Sequence, residues 1–189
     1  MRGPPAWFPC PAGVAPYGDP VAHRTADEVD PSTATAHLKE RLYATITMIS
    51  VVIGLAGSGH VDALGAALTV VTASAGLWLA SLVADQQAHR VTHGALARGR
   101  DLRTMLFVSS PLLLSAVGPL ILIGLSVLDV MHVETALLTA AGVNVATLFA
   151  WGCYGGIRMG GGTAFALLAG GIDAAIGTAV AAVKVAAGH

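Results

Sequence analysis

Long apolar runs constrain this chain more than any other feature. The clearest, Thr163–Val183, reads TAFALLAGGIDAAIGTAVAAV and carries one charged residue, Asp173, near its middle. A run of about 18 or more apolar residues is long enough to cross the ~30 Å hydrocarbon core of a bilayer as a helix. A soluble helix needs a polar face at helical spacing, and here such faces are mostly missing. Only 11% of the residues are charged, against about a quarter in soluble domains, and the mean hydropathy is +0.71. Lipid, not water, is the expected solvent.

Five runs of this kind predict an all-α, polytopic membrane protein built as a five-helix bundle, with spans near 42–57, 61–84, 104–128, 135–153 and 163–183. The first run is short, so its helix is expected to start earlier, near Ser32, with Lys39 and Arg41 snorkelling to the interface. Pro111 and Pro119 in the third run each remove a backbone donor, which predicts kinks there. Residues 1–31 are Pro-rich, lack the apolar stretch of a signal peptide, and read as a tail without a core, leaving 32–186 as the membrane domain.

Positive charge gives an orientation. Lys39 and Arg41 precede the first span, and the link DQQAHRVTHGALARGRDLR after the second carries Arg90, Arg98, Arg100 and Arg103. Arg158 follows the fourth span, whereas the links GSGH and DVMHVE hold neither Lys nor Arg. This alternation predicts the N-terminus inside, the C-terminus outside and a place in the cell membrane. A net charge of −1 gives no reason to expect nucleic acid; the expected partners are the bilayer and, because a five-helix bundle rich in small residues is thin, a second copy of the chain. Cys10 and Cys153 form no motif, and no nucleophile–base pair or phosphate loop is present, so no enzyme is expected and no tightly bound cofactor.

Few residues could carry chemistry. An ionised carboxylate at mid-span costs about 2.5–3.5 kcal/mol on insertion scales, so Asp173 should face protein or a water-filled path. There it would serve as a proton or cation site, or as a polar tie to Asn144, Thr178 or a hydroxyl of another helix. Asn144 itself reads as an interhelical hydrogen-bonding group or an ion contact. Thr47 and Met48 sit in the first span, and the thioether of Met48 is either a soft metal ligand or packing filler. Asp85, His89 and His93 recur every four residues, which puts them on one stripe if the second helix continues past the membrane. Two imidazoles and a carboxylate suit Zn, Fe, Ni or Mn. A solvated helix with incidental histidines, beside the repelling Arg90, is the alternative. Glycines 170, 171 and 177, with Ala166, Ala174 and Ala175, give the last span small-residue spacings suited to close packing or a dimer face.

Several segments together resemble the vacuolar iron transporter family. YATITMISVVIGLAGSG, ending Gly54-Leu55-Ala56-Gly57, is similar to the opening helix of that family, and LGAALTVVTASAGLWLAS to its second. SSPLLLSAVGPLILIGL, with Gly118-Pro119, resembles the third, and TLFAWGCYGGIRMGGGTAFALLAGGIDAAIGTAV the fourth and fifth. The resemblance implies a homodimer with a path between subunits, transport of a divalent ion such as Fe or Mn, and a methionine in that path, the role Met48 would take. Departures are clear. Tyr43-Ala44 stands where the family opens with Asp-Gly, the second span has no Glu, and the glutamate-rich cytosolic helices shrink to one short link without Glu. Most of the family's metal ligands are therefore missing.

Overall fold

The computed structural model describes residues 31–59 and 61–187 and is helical, with no strand among the described residues. Its elements are α1 (Pro31–Gly57), α2 (Ala63–His93), α3 (Arg100–Leu114), α4 (Val117–Val127), α5 (Val133–Arg158) and α6 (Thr163–Ala187). With α3 and α4 taken together as Arg100–Val127, five helices are long and apolar enough to cross a membrane. They define the class of protein, a multi-pass membrane protein. The expected tail lies outside the described residues, apart from Pro31, which opens α1.

The helix limits have local causes. Proline is tolerated in the first turn because its missing N–H would be unpaired there anyway, and α1 begins on Pro31. Gly94 ends α2 in the left-handed region (φ 68°), where its N–H bonds the Arg90 carbonyl at 2.9 Å. The third span breaks at Ser115–Ala116, between its two prolines. Pro119 has no N–H for the carbonyl four residues back, that of Ser115, and the chain tightens there, with Ala116 N–H on Leu113 O at 3.2 Å. Pro111 likewise frees the carbonyl of Phe107. That oxygen instead accepts from the Ser110 hydroxyl at 2.8 Å and from His37 Nδ1 of α1 at 3.1 Å. One proline thus creates a link between two helices.

The bundle runs up and down, so the start of α1, the end of α2, the start of α3, the end of α5 and the start of α6 share one end. His37 stacks on Phe107 there, and the Arg41 guanidinium lies 4.8 Å from the Trp151 ring centre. Lys39, Arg41, Arg90, Arg98, Arg100, Arg103 and Arg158 all belong to this end. The opposite turns carry Asp62, Asp129 and Glu134. The main core joins Met48 and Val52 of α1, Ala66 and Val70 of α2, Ile123 of α4, and Leu137 with Ala140 of α5. Large apolar side chains outside it, among them Leu64, Leu68, Ile121, Leu138 and Leu168, are exposed, which lipid would cover.

Candidate functional site at the α5–α6 seam

Small residues set the closest helix pair. A Cβ placed on Gly156 of α5 would stand 2.7 Å from the Ala166 Cα of α6. On Gly152, one turn earlier, it would stand 2.6 Å from the Gly170 Cα and 2.7 Å from Asp173 Oδ2. On Gly170 it would meet Cys153 Sγ at 2.5 Å and Phe149 O at 2.6 Å. The two backbones touch because these positions lack side chains. Of the small residues singled out in the sequence, Ala166, Gly170 and Gly177 are buried within the chain, while Gly171 and Ala175 remain exposed.

Asp173 lies on this seam, its carboxylate against Gly152. It is the eleventh residue of α6, roughly 15 Å from the helix start at 1.5 Å per residue, at the middle of the apolar stretch Thr163–Val183. The side chain is half-buried. Neither Asn144 nor Thr178 ties it down. The Asn144 amide donates to Ala140 O at 2.8 Å, and the Thr178 hydroxyl donates to Ala174 O at 2.8 Å. Among the described residues the Asp173 carboxylate has no hydrogen-bond or ion-pair partner.

The other sequence-derived residues lie elsewhere. Met48 is 3% exposed and belongs to the main core, as packing. Thr47 Oγ1 is buried without a hydrogen-bond partner, whereas Thr45 and Ser50 donate to the Arg41 and Ile46 carbonyls at 2.8 and 3.1 Å. Asn144 lines a separate cleft of about 230 Å³ between α1, α3–α4 and α5, together with Thr45, Ser115 and Thr147. Asp173, Met48 and Asn144 therefore occupy three different places.

The second helix does continue through His93, and it carries the Asp85–His89–His93 stripe beyond the expected span. Asp85 and His89 share a shallow cleft with Ser32, Thr33 and Thr104. His93 is not part of that lining. Its ring stacks on His89 with centres 4.3 Å apart, and its Nδ1 is 2.7 Å from the Thr92 hydroxyl. No group of three His, Cys, Asp or Glu side chains able to hold a metal ion occurs among the described residues. Glu40 was not legible as a site residue in the sequence. Burial, and after it the Asp85 charge, push the Glu40 carboxyl above its usual range, burial does the same for Asp85, and Lys39 opposes both shifts. HLKERL places Glu40 on the expected start of the first helix, but its nearness to Asp85 depends on how α1 packs on α2.

The chain matches no protein-family model, no curated protein and no solved structure.

Proposed function

We propose that this chain is a cation transporter of the cell membrane, oriented with its Arg-rich end inside, in which Asp173 binds and releases the ion. One observation supports the reading most. The chain keeps a carboxylate near mid-span, on a seam between helices, with no hydrogen bond to offset its cost. A purely structural acid would be expected to engage Asn144, Thr178 or another hydroxyl, and those groups bond their own helices. A proton needs only this one acceptor. A divalent ion needs about four to six donors, so Fe, Mn or Zn as substrate, the class named by the family resemblance, requires further oxygens from water, backbone or the same seam of a second copy. A homodimer, which the family resemblance implies, would be one source of them. Uptake of manganese into proteoliposomes, followed with a trapped metal-sensitive dye, tests the proposal. Uptake above protein-free vesicles supports it, and its absence for iron, manganese and zinc, with and without a pH gradient, removes it.

A second reading, a membrane subunit or scaffold that transports nothing, has its own support. The hydroxyls of Thr45, Ser50, Ser109, Ser126 and Thr147 are turned back onto carbonyls of their own helices, and Met48 is core. Among the described residues no chain of convergent ligands from several helices accompanies Asp173.

A further inference from the structure

We infer that the cleft between α1, the α3–α4 break and α5 binds one phospholipid with an anionic headgroup, its phosphate on Arg41 and an acyl chain along the apolar walls. The inference is independent of Asp173, which does not line this cleft.

The mouth of the cleft is cationic. Arg41 stands there, at the end of the bundle that gathers Arg90, Arg100, Arg103 and Arg158, with the His37 ring beside it on Phe107. Arg41 rests on the Trp151 face at 4.8 Å and has no carboxylate partner among the described residues. The guanidinium is thereby positioned but not neutralised. A planar fork of donors matches a phosphate well, and Trp151 with Tyr154, packed edge-on at 5.8 Å, forms the aromatic layer that marks a headgroup level.

The walls suit hydrocarbon rather than a soluble anion. Leu114, Leu122, Val143 and Pro119 supply apolar surface. The lining hydroxyls of Thr45, Ser115 and Thr147 donate to Arg41 O, Leu112 O and Val143 O, so they offer no free hydrogen to a polar guest, while Asn144 in the same wall gives one amide hydrogen to Ala140 O and keeps the other. From His37 to Thr45 the cleft follows α1 for roughly 12 Å at 1.5 Å per residue. Its volume of about 230 Å³ takes part of one chain and leaves the rest of the lipid in the bilayer. Gly118 keeps the wall open beside the proline break, and a Cβ there would meet nothing within 4 Å. A basic pocket between helices, at the end expected to face the anionic leaflet, is a recurrent form of headgroup site.

Native mass spectrometry of the full chain, offered equal amounts of phosphatidylglycerol and phosphatidylcholine with the same acyl chains, reads the preference directly. Phosphatidylglycerol should be retained preferentially, and Arg41→Gln should reduce that preference about tenfold, the scale of one lost charge-assisted contact. Gly118→Leu, which fills open space, should abolish retention of the lipid while the protein stays folded and monodisperse. Should Arg41→Gln fail to fold, Gly118→Leu decides alone. Equal retention of the two lipids by the unaltered chain would overturn the proposal, as would unchanged preference in Gly118→Leu. Competition by inorganic phosphate at matching concentration would overturn it too, because the site would then read the anion and not the lipid.

Discussion

Replacing Gly152 with alanine is the smallest change that tests the α5–α6 seam. The added methyl would lie 2.6 Å from the Gly170 Cα and 3.0 Å from the Ala169 carbonyl oxygen, both backbone atoms that move only with their helix. Carbon atoms in contact prefer about 3.5–4.0 Å, so the seam must open by roughly 1 Å. Overpacking of that kind costs about 1–3 kcal/mol. Alanine also favours a helix over glycine by about 1 kcal/mol, which would mask part of the cost. Gly171→Ala removes the ambiguity. It lies on the same pair of helices, has nothing within 4 Å of its added Cβ, and gains the same helix propensity. Unfolding both variants by denaturant in one detergent should place Gly152→Ala about 1–3 kcal/mol below Gly171→Ala. Equal stabilities would refute the close approach of the two backbones, and with it the placement of Asp173 against Gly152.

Met48→Leu should fold, cost under about 1.5 kcal/mol and leave cation uptake unchanged, while Met48→Ala should cost about 2–5 kcal/mol; a stable Met48→Leu protein without uptake would return Met48 to the ion path. His93→Ala should leave zinc affinity unchanged in a titration of the purified protein, because Asp85, His89 and His93 do not form a three-ligand metal group; a large loss would place His93 in a metal site. A reporter fused after Arg100 should be active only in its cytosolic form, and activity outside the cell would reverse the proposed orientation. The purified protein should behave as a dimer by mass in detergent, and monomers at every concentration would remove the second copy from the ion site.

Local features were largely legible before the fold was known. Apolar run length located the five helices long and apolar enough to cross a membrane, and Lys39 and Arg41 marked a first helix that begins well before its apolar part. The prolines at 111 and 119 located the break to within a few residues, since each leaves a specific carbonyl without its partner. Contacts between distant residues were not legible. Nothing in the sequence pairs Arg41 with Trp151, His37 with Phe107, or Glu40 with Asp85, because these meetings depend on helix rotation and neighbour order. Periodicity placed the Asp85–His89–His93 stripe on one helix, yet the rotamer that stacks His93 on His89 is outside what spacing reports. Met48 illustrates the same limit, because a thioether suits a core and a metal path equally until its neighbours are known. Asp173 was legible as an anomaly by its place in the run, but its fit against Gly152 required both helices.

Asp173→Asn in the proteoliposome uptake assay tests the central claim most directly. The amide keeps the shape of the side chain against Gly152 and removes both the negative charge and the exchangeable proton. With a variant shown to be folded and monodisperse, uptake of manganese driven by a pH gradient should fall to the level of protein-free vesicles. Uptake equal to that of the unaltered chain, with the same dependence on pH, would contradict the assignment of Asp173 as the ion-binding group.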